Sequence, residues 1–183
     1  MNTNDTITAP ATSDTRLDVE LSAEHSHCTH PLGGDATGVP AIPVTVDEVT
    51  PDWLTGALHA GGIEAVVDAL EIEPVGVGVG IMSLLFRLTP DYASGSGPRS
   101  IILKMAPPYE QVRAVAAGYG FYEREVEIYR TLGDKVGLRP PALYYADHDA
   151  ATDAFVVLME DFRSLRSCDQ LVGCSPADAR SIL

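Results

Sequence analysis

The stretch Glu73–Leu88 reads EPVGVGVGIMSLLFRL, with glycines at 76, 78 and 80 between two apolar runs. Glycine tolerates a positive φ and lets peptide N–H groups approach a ligand that a Cβ would hold off. Such a cluster cradles phosphate oxygens in some folds and is a loose hairpin tip in others. The flanks narrow the choice. After the glycines, Met82, Leu84, Phe86 and Leu88 alternate with Ser83, Leu85 and Arg87, the period of a strand. Before them, AVVDALEIEPV (65–75) leads in, so the glycines join strand to strand.

That connection argues against two phosphate-binding architectures. A dinucleotide-binding fold and a P-loop both place their glycines between a strand and a helix. The first has an acidic residue about 20 positions on, and the second a Gly-Lys-Ser/Thr closure. Here SIILKM (100–105) stands where the acid would fall, and no lysine adjoins Gly80. A glycine-rich hairpin folded over nucleotide phosphates belongs to the protein-kinase-like fold, which takes its lysine from the next strand. Lys104 meets that requirement, following Ile101, Ile102 and Leu103 and preceding Met105 and two prolines. A lysine snorkelling from the wet face of a half-buried strand is the competing explanation.

The helix in GFYEREVEIYRTLG (120–133) bears on that choice. At 100° per residue, Phe121, Tyr122, Val126, Ile128, Tyr129 and Leu132 share one arc, whereas Glu123, Arg124, Glu127 and Arg130 fall outside it. Glu125 falls near the centre of the apolar arc. A carboxylate aimed into a core requires a cation, and Lys104 is the lysine on a nearby apolar strand; a partly wet edge of the helix at Glu125 is the competing explanation. Glu123 and Glu127 are expected on the solvated face. Beyond the helix, PALYYAD (141–147) and DAFVVLMED (153–161) flank the polar turn HDAAT, an antiparallel pair whose second member is apolar throughout and expected to be central.

The rest of the chain sets bounds. With 183 residues, 45% of them hydrophobic, one ordinary core is expected. Twenty-six acidic against 12 basic side chains give a net charge of −14, which repels polyanions, so neither nucleic acid nor an anionic membrane is an expected partner. Three scattered cysteines (Cys28, Cys168, Cys174) without a C-x-x-C pair fit reduced thiols. The N-terminus lacks a basic and apolar leader, and the apolar run AFVVLM (154–159) is too short to span a bilayer, so a cytoplasmic location is expected. Residues 1–44 are rich in Thr, Ala, Asp, Gly and Pro with no apolar period, and are read as a disordered polar tail. Within it, His25, His27, Cys28 and His30 crowd into six residues with no distant ligand to close a tetrahedral zinc site, so no metal is assigned to them. Folded structure is expected from Thr50, an N-cap followed by Pro51, with Trp53, Leu54 and Leu58 on one helix face before Gly61 and Gly62.

Taken together, the glycine hairpin, IILK (101–104), Glu125 in REVEIYR (124–130), RPPALYYAD (139–147) and FVVLMEDF (155–162) resemble the N-terminal lobe of the aminoglycoside phosphotransferase and choline kinase superfamily. The similarity is to its ecdysteroid-kinase-like branch, whose leading helix TPDWLTGALHAGG (50–62) also resembles, and it covers about residues 45–183. The resemblance implies an α+β, protein-kinase-like lobe at 45–162, with a five-stranded antiparallel sheet, one packed helix and a short helix before it. A linker and the start of a second lobe would follow at 163–183. It further implies that Gly76, Gly78 and Gly80 cover ATP phosphates with Ser83 nearby, and that Lys104, held by Glu125, contacts them. Met159 would back the adenine pocket, with the Glu160 carbonyl and Phe162 amide reading the adenine edge. ATP and Mg2+ are the implied cofactors, and a small organic hydroxyl compound the implied acceptor.

Enzymes of this kind carry a catalytic Asp in H-x-D-x-x-x-x-N and a metal-binding Asp in D-x-D or D-F-G-like segments of the second lobe. Neither segment follows Phe162. Glu160-Asp161-Phe162 directly ends an apolar strand, which fits a hinge better than a metal motif. The last residues, SPADARSIL (175–183), begin a helix with Ser175 as N-cap and Asp178 at its third position, then stop without a C-cap. The expectation is therefore an ATP-binding lobe cut off mid-helix and inactive alone. A non-enzymatic nucleotide-binding module acting through a partner, and an α+β domain that binds no nucleotide, remain as alternatives.

Overall fold

A computed structural model describes residues 39–76, 82–132, 139–165 and 173–182. Gly78, Gly80, the His25–His30 cluster, Cys28 and Cys168 lie outside the described residues. A one-turn 3-10 helix at Val46–Glu48 precedes the first α-helix among the described residues, α1 (Pro51–Ala60). Thr50 caps it as expected, its hydroxyl accepting the Trp53 N–H at 3.1 Å, a contact typically worth about 1 kcal/mol. Trp53, Leu54, Ala57 and Leu58 are buried on one side. The chain leaves α1 at Gly61, where an added Cβ would lie 1.7 Å from the Tyr144 carbonyl, and turns at Gly62 with φ of 82°.

Five strands follow: β1 (Ala65–Pro74), β2 (Leu84–Gly95), β3 (Ile101–Met105), β4 (Leu143–Asp149) and β5 (Ala154–Glu160). All neighbours pair antiparallel in the order β1-β2-β3-β5-β4. The expected five-stranded antiparallel sheet is thus present in an α+β fold. The apolar second member of the last hairpin, β5, is interior, although β3 holds the middle place.

The sheet is buried on both faces by different helices. Leu88, Ile101, Leu103, Met105, Val156 and Leu158 point to one side and pack with α1. Phe155, Val157 and Ala146 point to the other and pack with two further helices, α2 (Glu110–Gly118) and α3 (Phe121–Leu132). Two-sided burial explains why Phe155 to Leu158 is apolar without alternation.

One packed helix was expected between β3 and β4, and two are present among the described residues. α2 leaves no apolar stripe in the sequence because Ala116 is its only buried residue, and Val115 is exposed. Gly120, at φ of 62°, makes the turn from α2 into α3. A last short helix, α4 (Pro176–Ile182), has the expected cap: Ser175 Oγ accepts the Asp178 N–H at 3.2 Å, and the Asp178 carboxylate accepts the Ser175 N–H at 3.1 Å.

Candidate functional site

Strand alternation decides where Lys104 goes. Ile101, Leu103 and Met105 are buried against the α1 side, so Ile102 and Lys104 face α3. The α3 helix is fixed over that face by Tyr122, whose ring stacks on Phe155 with centroids 4.5 Å apart and whose hydroxyl donates to the Met82 carbonyl at 2.9 Å. Burial pushes the Tyr122 phenol up from its usual range, so it remains a proton donor to that carbonyl. At the helix's other end Arg130 donates to the Ala146 carbonyl of β4 at 2.6 Å.

With α3 held so, the Lys104 ammonium donates to Glu125 Oε1 in a salt bridge. The two residues that the sequence pattern pairs are therefore in contact. Their surroundings differ from the expected core. The side chains are 22% and 25% exposed, and Phe121 and Ile128, assigned to the buried arc, are exposed at 41% and 51%. Among the members of that arc whose side chains are described, Tyr122 and Val126 are buried, with Tyr129 packed partly against them. Glu125 lies where the core meets an open cleft, on the side of α3 that also carries Phe121 and Ile128.

That cleft has a volume of about 470 Å³ and runs between the start of β2 and α3. Ser83, Lys104 and Glu125 line it together, with Met82, Phe121 and Ile128 as apolar walls. Arg124, read from the helical wheel as lying off the apolar face, also reaches the cleft, and among the described residues it forms no salt bridge. Gly76, at φ of 64°, begins the glycine segment just after the Val75 N–H donates to Leu85 O at 2.9 Å.

Met159, Glu160 and Phe162 do not line this cleft. Met159 is in register with Ile102, and Ile102 with Arg87; the next rung on the same face is Leu85, Lys104 and Val157. Met159 is thus a diagonal neighbour of Lys104, and Leu85, Ile102 and Met159 are all partly exposed beside it. Glu160 donates its N–H to the Ala142 carbonyl at 2.8 Å. The Ala142 N–H, however, goes to the Glu160 carboxylate at 3.2 Å, which leaves the Glu160 carbonyl out of that pair. Pro140 and Pro141 have no N–H to replace it. The Ala142 N–H, with help from Arg139 at 2.6 Å, also holds the Glu160 carboxyl below its usual range. The Arg139 guanidinium lies 4.9 Å from the centre of the Phe162 ring.

A cluster that sequence reasoning missed surrounds Asp161, whose side chain is 4% exposed. Its Oδ2 accepts from Arg87 Nε at 2.8 Å, Ser100 Oγ at 2.6 Å and Arg163 Nε at 2.9 Å, and its Oδ1 from the Arg163 N–H at 2.9 Å. Burial pushes this carboxyl up, but the hydrogen bonds from Arg87, Ser100 and Arg163 outweigh it and hold the group well below the usual carboxylate range. The available signal was strand phase: Arg87 shares its face with Ile102 and Lys104, and a cation there requires an acid.

The donors for Mg2+ that the resemblance implies are not found here. Glu125 and Asp161 are each committed to cations, and among the described residues no group of three or more His, Cys, Asp or Glu side chains is arranged around a metal position. Asp147 and Asp149 of β4 are likewise engaged, the first with Arg130 and the second with the Ala151 N–H at 2.8 Å and the Thr152 hydroxyl at 2.8 Å. Among the described residues no helix is long and apolar enough to cross a membrane. No family model, no curated protein and no solved structure matches the chain.

Proposed function

We propose that this chain is the ATP-binding lobe of a small-molecule kinase, positioning the nucleotide whose γ-phosphate passes to a hydroxyl of a small organic acceptor. The observation that carries this is the Lys104–Glu125 salt bridge on the wall of a cleft lined also by Met82 and Ser83, which follow the glycine segment in sequence. An ammonium oriented by a carboxylate is pre-set to meet phosphate oxygens, and its stem is packed so that little orientation is lost on binding. In this role Lys104 meets the phosphates, Glu125 holds it, and Gly76, Gly78, Gly80 and Ser83 supply backbone and hydroxyl donors. Met159, with Ile102 and Leu85 beside it, forms the apolar bed for the base. The Glu160 carbonyl and Phe162 amide read its edge.

Mg2+ would add charge neutralisation on the phosphates when bound, but the residues described here do not supply its ligands, and no step of this chain runs through it. Nor does the chain carry the H-x-D-x-x-x-x-N segment that would supply the catalytic Asp. The proposal is therefore confined to nucleotide positioning. ATP titrated into the isotope-labelled chain tests it. Amide shifts should cluster at Gly76, Ser83, Lys104 and Phe162 and vanish in Lys104→Met. Shifts that persist in that variant, or that fall elsewhere, would refute it.

A further inference from the structure

The Lys104–Glu125 pair makes no use of Asp161, yet Asp161 has the most densely bonded carboxylate among the described residues. It draws together Arg87 of β2, Ser100 immediately before β3 and Arg163 after β5, and Ser100 Oγ in turn accepts from Arg163 Nη2 at 2.5 Å. Both oxygens of this enclosed group accept hydrogen bonds from the protein itself. What it fixes is its own backbone. The peptide groups on either side belong to Glu160 and Phe162, whose side chains are both held by Arg139. Three successive side chains are thus anchored on three arginines. The Glu160 carbonyl between them is out of its pair with Ala142, because the Ala142 N–H is taken by the Glu160 carboxylate.

We propose that Asp161 is a positioning residue for base recognition: its clamp on Arg87, Ser100 and Arg163 sets the Glu160 carbonyl and Phe162 amide at the angle that reads a purine's hydrogen-bonding edge. This rests on the nucleotide role proposed above and goes beyond it by separating two functions in space. Phosphate recognition belongs to Lys104 and the cleft, base recognition to the Asp161 clamp. Hydrogen bonds weaken steeply once the donor angle falls below about 120°, so freeing the two peptide groups to rotate is enough to lose the base contacts without moving Lys104.

Binding of ATP and of inorganic tripolyphosphate, measured side by side by calorimetry on the whole chain, tests this. Wild type should bind ATP more tightly than tripolyphosphate. Asp161→Asn should weaken ATP about tenfold, the size of one or two lost hydrogen bonds, and leave tripolyphosphate within about twofold. Lys104→Met should weaken both ligands. Should Asp161→Asn fail to fold, Ser100→Ala removes one donor and leaves both arginines, and the same ATP-selective loss is expected at about threefold. Equal weakening of both ligands, no weakening of either, or a wild type that does not discriminate between them would overturn the positioning role while leaving phosphate binding intact. A wild type that binds neither ligand overturns the nucleotide role itself, and is distinguishable because it shows before any substitution is made.

Discussion

The ammonium of Lys104 and the carboxylate of Glu125 meet across the seam between β3 and α3, one on a strand face and the other on a helix stripe 21 residues later. Neither is deeply buried. About a quarter of each side chain faces the cleft, so water screens the pair and its contribution to stability falls toward the surface range of about 0–1 kcal/mol. A pair of low structural value kept at the wall of a cleft is better explained by what it holds in place than by what it stabilises. Lys104→Met should therefore lower the free energy of unfolding by no more than about 1 kcal/mol, measured by urea denaturation. A loss of several kcal/mol would mark the pair as a structural tie.

The position of α3 depends on Tyr122. Its ring is stacked on Phe155 and its hydroxyl bonded to the Met82 carbonyl beside Ser83. Tyr122→Phe keeps the stack and loses the bond, and should cost about 1 kcal/mol. Tyr122→Ala opens the core and should cost about 3–5 kcal/mol. Equal costs for the two variants would place all of Tyr122's value in the hydroxyl.

Two neighbouring glycines should behave differently under the same substitution. At Gly61 a Cβ would collide with the Tyr144 carbonyl of β4, so Gly61→Ala should destabilise by about 3 kcal/mol or more. Gly62 has open space but a φ of 82°, so Gly62→Ala carries only backbone strain, about 1–2 kcal/mol. Comparing thermal midpoints of the two variants checks the close approach of α1's end to β4.

The sheet was legible because β2 alternates and the other strands are short apolar runs bounded by turn or proline residues, and Lys104 was legible as the lysine on the strand that follows the glycine hairpin. Glu125 could be found as a carboxylate out of place in an apolar stripe. Other features left weaker traces. α2 buries a single alanine, which no periodicity reveals. Phe121 and Ile128 belong to the stripe by angle, but they face the open cleft rather than the packed core. The Asp161 clamp joins residues 61 and 74 positions apart, so it exists only once β2, β3 and β5 are side by side.

That clamp also governs response to acid. The Asp161 carboxyl is held below its unfolded value, so the native state resists its protonation. Its stabilising contribution is complete above the unfolded value of about 3.9 and is lost as pH falls below that toward the folded value. Wild type should exceed Asp161→Asn in stability at neutral pH, and the gap should shrink as pH drops below about 4. A gap independent of pH between 7 and 2, followed by denaturant midpoints, would show that the charge of Asp161 contributes nothing.

The most direct measurement of the central claim is a double-mutant cycle on ATP affinity. If Glu125 acts only by holding Lys104 against the phosphates, the two residues share one function and their losses cannot add. Lys104→Met and Glu125→Gln should each weaken ATP by about tenfold or more, the value of a charge-assisted contact, while the double variant is hardly weaker than either. Glu123→Gln and Glu127→Gln, on the exposed side of α3, should leave affinity unchanged. Additive losses in the double variant, or near-wild-type affinity in Glu125→Gln, would contradict the claim that the Lys104–Glu125 pair positions a nucleotide.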